Sequence, residues 1–157
     1  DDLDGDGSVE DANRKNDDRY IAGQALPKIS WAFTPSVTYK KFDLNIVLRG
    51  AHGHKVYNAR NATLSNLGQL GQQNRLRNAL DLGINNITYA SDLWLEPGDF
   101  VRLENLTLGY NVNTKGWGTV QSLRFSFTAN NLFVITKYTG IDPELNLSGG
   151  NGFGIDN

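Results

Sequence analysis

A chain of 157 residues, 39% of them hydrophobic, is long enough for one domain with a buried core. It has no apolar run near the ~18 residues that a membrane-crossing helix needs, and no basic-then-apolar leader at Asp1-Asp2-Leu3-Asp4. Zero Cys excludes disulfides, zinc–thiolate sites and a thiol nucleophile, and zero Met makes the chain an expected processed or excised piece of a longer polypeptide. The net charge of −2 is uneven: residues 1–18 carry eight acidic and two basic residues (−6), which leaves +4 for the rest. No Lys/Arg cluster marks a nucleic-acid footprint, so nucleic acid is not an expected partner.

The acidic stretch opens the chain. Asp2, Asp4 and Asp6 fall at positions 1, 3 and 5 of an EF-hand-type loop, Gly7 at position 6, and Ser8 at the position that offers a backbone carbonyl. Asn13 stands where a bidentate Glu would close the loop, with Asp11, Asp17 and Asp18 as replacement carboxylates. Calcium, which accepts 6–8 oxygen ligands in loose geometry, is the expected cofactor; a free, solvated acidic loop is the alternative. Without the apolar helix pair of a true EF-hand, the ion would staple a loop rather than act as a sensor.

Four segments then alternate with a period of two, the signature of half-buried strands. In Ile29 to Tyr39, Ile29, Trp31, Phe33, Val37 and Tyr39 share a face, although Pro35 cannot donate to a sheet ladder. In Phe42 to Gly50, Phe42, Leu44, Ile46 and Leu48 oppose Asp43, Asn45, Val47 and Arg49, and only Lys40-Lys41 separates this strand from the first, so a tight hairpin is expected. Further on, Leu106, Leu108 and Tyr110 alternate with Asn105, Thr107, Gly109 and Asn111. Leu123, Phe125, Phe127 and Ala129 likewise alternate with Ser122, Arg124, Ser126, Thr128 and Asn130. A Gly/Asn turn at 112–120 joins this second pair. The connector 51–99 contains a weakly helical stretch, Leu64 to Leu82.

Connections longer than about 12–15 residues are uncommon in compact domains. Transmembrane β-barrels supply a reason for them, with short turns at one end and long loops at the other. Here the connections run long (1–28), short (40–41), long (51–99), short (112–120), long (from about 138). Tyr39, Phe42, Tyr110 and Trp117 gather at the two short turns, where an interfacial aromatic girdle belongs. The opposite face is rich in Ser, Thr and Asn, as a water-filled lumen requires. A soluble β-sandwich also alternates, but its solvent face carries more Lys and Glu.

The expected class is therefore all-β, an antiparallel transmembrane β-barrel segment. It comprises an extracellular loop (1–28), a hairpin (29–50), a long extracellular loop (51–99), a second hairpin (100–137) and a further loop (138–157). Four strands cannot close a barrel, for which eight is about the smallest number, so the barrel reading requires the remaining strands in another part of the polypeptide and otherwise fails. His52-Gly53-His54 offers two metal ligands, short of a four-coordinate site. No Ser/His/Asp arrangement or carboxylate pair stands out on a rigid element, so an enzyme is not expected.

The motifs taken together resemble the SusC/RagA-like TonB-dependent outer-membrane transporters, in that family's C-terminal order. They are Asp2-Leu3-Asp4-Gly5-Asp6-Gly7; Asp18-Arg19-Tyr20 through Gly23 with Leu26-Pro27-Lys28; Phe42-Asp43-Leu44; Gly53 to Asn58; Val101-Arg102-Leu103-Glu104-Asn105-Leu106-Thr107-Leu108-Gly109-Tyr110; and Asn130-Asn131-Leu132-Phe133 through Asp142-Pro143-Glu144. They span nearly the whole chain. The family's aromatic-ended final strand, plug domain and TonB box have no counterpart here.

The resemblance implies a piece of a plugged barrel of about 22 strands in the bacterial outer membrane, in contact with outer-membrane lipid. The implied activity is import of glycans, oligosaccharides or peptides, with a SusD-like lipoprotein lid and coupling through TonB. It implies that Asn45, Arg49, Asn105, Arg124 and Asn130 line the lumen and that Trp94 lies near the substrate or the lid. An extracellular calcium-stapled β-sandwich binding module and a passive or structural barrel are the competing readings.

Overall fold

A computed structural model describes residues 20–85, 91–144 and 155–156. In chain order the strands are β1 (Ile29–Phe33), β2 (Ser36–Tyr39), β3 (Phe42–His52), β4 (Lys55–Asn58), β5 (Leu95–Pro97), β6 (Phe100–Val112), β7 (Leu123–Thr136) and β8 (Ile155–Asp156). Two short helices, α1 (Ala59–Leu64) and α2 (Ala79–Leu82), interrupt them. The residues form two compact units.

The sheet unit, Pro27–His54 with Pro97–Tyr138, is an antiparallel sheet of order β1-β3-β6-β7, with β2 also on β3. Pro35 divides the expected first strand into β1 and β2, because it has no N–H to give the ladder. The register nevertheless runs through the break: Phe33 opposes Leu48 and Ser36 opposes Asn45, three residues on in each strand. Ile46 N–H donates to the Pro35 carbonyl at 3.1 Å, the half of the pairing that proline still allows. Tyr39 and Phe42 close the Lys40-Lys41 turn as expected, with Lys40 in the left-handed region at φ 55°.

Simple alternation fails at one place. Opposite the single step from Val47 to Leu48, β6 takes two steps (Asn105 to Leu103) and β7 takes three (Asn130 to Phe133). The irregularity widens across the sheet, and Asn131 takes φ 50° within it. Such bulges insert unpaired residues, bend the strand and raise its twist. In β6 the extra residue, Glu104, reverses the parity. Leu103 and Val101 thereby join the face of Leu106 and Leu108, and Arg102 joins that of Asn105.

The loop unit is built from described residues 20–26, 55–85, 91–96, 139–144 and 155–156. Here β4 lies between β5 and β8 and runs parallel to β8. Asn58 ends β4 and caps α1, its Oδ1 accepting from Asn61 N–H at 2.8 Å, the usual use of Asn at a helix start. Val56, Ala62, Ala79 and Trp94 are its buried apolar residues. The helix expected over Leu64 to Leu82 does not form as one piece: only Leu64, at the end of α1, and α2 are α-helical. Gly71 at φ 93° breaks the path, and the Asn66 side chain turns back to cap Gly68 N–H at 2.8 Å. Asn and Gly here favour local turns over continuous helix.

Candidate functional site

The sheet has two chemically distinct faces. On one, cross-strand neighbours form unbroken apolar rows: Tyr39, Phe42, Tyr110 and Phe125; then Val37, Leu44, Leu108 and Phe127; then Ile46, Leu106 and Ala129. Beyond the bulges follow Phe33, Leu48, Leu103 and Phe133, and then Trp31, Gly50, Val101 and Ile135. This face is bare: Phe33 is 59% exposed, Phe125 61% and Phe127 63%. In water such a continuous apolar surface would be an aggregation site; against hydrocarbon it is a match.

The rings of Phe42 and Tyr110 lie 4.8 Å apart, a packed pair within the aromatic row at the short turns. Toward the other end, the Trp31 indole N–H donates to His52 Nε2 at 3.1 Å. His52 Nδ1 faces Asp99 at 3.9 Å, and Asp99 Oδ1 accepts from Gly53 N–H at 2.7 Å. These contacts tie off the outer end of β3. Among the described residues no group of three or more metal-ligating side chains occurs.

The opposite face carries every residue expected to line a lumen. Asn105 donates to Asn130 Oδ1 at 2.7 Å, Thr107 donates to Asn105 at 3.1 Å, and the Thr107 and Thr128 hydroxyls meet at 3.1 Å. Asn45 stands opposite Thr107 in the same row. Arg49 Nε pairs with the Glu104 carboxylate at 2.6 Å, beside the bulge. Arg124 on β7 bonds Asp43 on β3, reaching across the intervening β6. Gly109 is the β6 residue under that bridge, and a Cβ there would collide with both the carboxylate and the guanidinium. The glycine thus has a steric reason that its place in the alternating pattern does not reveal.

The loop unit has its own polar centre. Asn58 is 2% exposed, and its Nδ2 donates to Glu96 Oε1 at 2.9 Å and to Thr139 Oγ1 at 3.3 Å. The Thr139 hydroxyl donates to Glu96 Oε1 and its N–H to Glu96 Oε2, both at 2.7 Å. Three remote loop segments are tied by one satisfied network, since a buried amide needs its partners. Sequence reasoning missed this centre, because the partners lie 38, 43 and 81 residues apart. Trp94 is 5% exposed, so its ring packs inside the loop unit rather than standing free for a ligand. Elsewhere in this unit the Tyr20 hydroxyl donates to Asp92 at 2.6 Å. That bond raises the phenol and lowers the carboxyl relative to their ordinary values. Burial raises the Tyr57 phenol as well. The calcium-type residues Asp2, Asp4, Asp6, Ser8, Asp11 and Asn13 lie outside the described residues.

One bare apolar face, one polar face, tight turns at one end and long loops at the other define a segment of an outer-membrane β-barrel, since only a closed barrel lets strands cross lipid. No family model matches the chain. It is 29% identical over 156 residues to the TonB-dependent receptor P3 of Formosa agariphila, covering 92% of this chain and 15% of that protein. To the TonB-dependent receptor SusC of Bacteroides thetaiotaomicron it is 30% identical over 158 residues, again 92% and 15%. Its fold matches the RagAB peptide transporter with a TM-score of 0.71 at 25% identity, over 87% of this chain and 16% of that one. The closed-closed RagAB peptide importer also gives 0.71, at 23% identity over 96% and 18%. The chain is a barrel segment related to the SusC/RagA-like TonB-dependent receptors of the outer membrane. It spans about 15% of the length of the curated relatives it matches.

Proposed function

We propose that the protein containing this segment imports glycans, oligosaccharides or peptides across the outer membrane, works with a SusD-like lipoprotein lid and is energised through TonB. The observation that carries the reading is the two-faced sheet, with five apolar rows outside and Asn, Thr and paired Arg inside. The relation to SusC and the likeness to a structure named as a peptide transporter support a nutrient-uptake role. Within the segment, Asn45, Arg49, Asn105, Arg124 and Asn130 hydrate the wall. Asn105 is bonded to Asn130, Arg49 to Glu104 and Arg124 to Asp43, so these four shape the lumen more than they choose the cargo. Nothing among the described residues favours a sandwich, which would cover its apolar face with a second sheet.

The test uses the full-length protein in its source bacterium. Cells lacking it should lose growth on a particular oligosaccharide or peptide mixture, and the protein purified in detergent should bring a lipoprotein with it. Unimpaired growth on every such substrate, with a protein that purifies alone, sinks the proposal. For the acidic loop we propose a calcium ion held by Asp2, Asp4, Asp6, the Ser8 carbonyl and either Asn13 or Asp11. The regular placement of carboxylates in the sequence supports this. Chelation should speed proteolytic cleavage within residues 1–18, and calcium but not magnesium should restore resistance; cleavage indifferent to both rules the ion out.

A further inference from the structure

The short-turn end of the sheet carries more than an aromatic belt. Residues 37–45 and 108–125 contain four basic side chains (Lys40, Lys41, Lys115, Arg124) and one acidic (Asp43), a net of +3. Asp43 is already bound to Arg124, which leaves the three lysines as the uncompensated charge. All three are exposed, and among the described residues none has a carboxylate partner. Lys40 Nζ lies 5.2 Å from the Tyr39 ring centroid, so its stem follows the belt while its ammonium remains at the rim. On the neighbouring turn, Gly116 (φ 89°) and Gly118 (φ 66°) flank Trp117, which is 53% exposed, and Lys115 precedes them. Thr114 Oγ1 bonds the Gln121 carbonyl at 2.8 Å and closes that turn, and Asn111 N–H bonds the Lys41 carbonyl at 2.8 Å, holding the two turns together.

From this arrangement we infer that the short-turn end is a docking surface for anionic glycerophospholipid headgroups. Lys40, Lys41 and Lys115 engage phosphates, while Tyr39, Phe42, Tyr110 and Trp117 lie at the ester level just inside. The inference rests on the membrane-barrel reading and adds charge selectivity to it. Aromatic rings alone anchor in any bilayer interface. Unpaired lysines at the same depth favour a negatively charged leaflet, and short barrel turns face the periplasm, which places the surface in the inner leaflet. The charge complementarity selects the occupant: a second protein would have to bring both an acidic rim and a hydrocarbon-like face, and a phospholipid monolayer has both.

The experiment reconstitutes the full-length protein into nanodiscs of mixed phosphatidylglycerol and phosphatidylcholine and counts lipids retained by native mass spectrometry. The wild type should retain phosphatidylglycerol preferentially, by roughly fivefold for each engaged lysine, and high salt should weaken the preference. The triple variant K40Q/K41Q/K115Q should retain the two lipids in their bulk ratio, while the corresponding Lys→Arg variant should behave as wild type. An unselective wild type, or a triple variant that keeps the full preference, overturns the inference. Failure of the protein to enter nanodiscs at all would instead count against the barrel reading, so the two failures are distinguishable.

Discussion

Phe127 and Thr128 are adjacent in β7 and face opposite sides of the sheet, so one substitution made at each position measures what the two sides touch. The five outward rows run from Phe42 to Gly50 along β3, the strand without inserted residues, about 27 Å of strand at ~3.4 Å per residue. At the ~45° tilt usual for barrel strands this becomes about 19 Å of depth, most of the ~25 Å apolar band of an outer-membrane barrel. The middle of that band falls at the row of Ile46, Leu106 and Ala129, and Phe127 lies one row nearer the turns. Phe127→Arg therefore places a guanidinium roughly 5 Å from the midplane, at a cost of about 2–3 kcal/mol. Thr128→Arg adds the same side chain to the hydrated face, at a cost within about 0.5 kcal/mol. The assay is urea unfolding of the full-length protein in vesicles, followed by the loss of its heat-modifiable mobility on gels. A neutral Phe127→Arg would refute the assignment of faces, because a water-exposed aromatic of 63% exposure should tolerate arginine. Equal destabilisation by the two variants would refute it as well.

Three other outcomes follow from the geometry. Asn58→Ala removes the α1 cap and a hydrogen bond to a carboxylate, together about 2–4 kcal/mol of local stability; hydrogen exchange should accelerate in residues 55–64 and stay unchanged in β3, β6 and β7. Gly109→Val drives a side chain into the Asp43–Arg124 bridge, and since glycine is otherwise a poor strand residue, a variant more stable than wild type in the same urea assay would show that the bridge does not matter. Asp92 has its carboxyl lowered by the Tyr20 hydrogen bond. Its contribution is present above the ordinary carboxylate value and is lost as pH falls through the lowered one. Acidification should thus loosen protease protection around Tyr20, and Tyr20→Phe should abolish that step; the same pH step in the variant would assign it to another group.

Much of the sheet was legible in the sequence because strand alternation is local. A residue's side is set by its parity, and that parity correctly separated Phe125 and Phe127 from Arg124 and Thr128, and Leu106 and Leu108 from Asn105 and Thr107. The aromatic belt followed from the same parity plus the position of the short turns. The weakly helical stretch from Leu64 to Leu82 does not fold as one helix because Asn66, Gly68 and Gly71 take local conformations that defeat it.

What the tertiary structure alone decided depends on which strand stands beside which, and on how far each has slipped. The widening bulge from Val47 through Glu104 to Asn131 changes the face of Arg102 and Leu103, and no parity count within β6 contains that slip. Gly109 is required by two side chains from the strands on either side of it. Asn58, Glu96 and Thr139 join only after the two ends of one long loop have met the start of another, and Trp94 lies buried beside Glu96 in the same unit. Sequence determined the faces between the short turns and the bulges, since those depend on neighbours two residues away. Structure decided the partners, since those depend on hydrogen bonds between residues tens of positions apart.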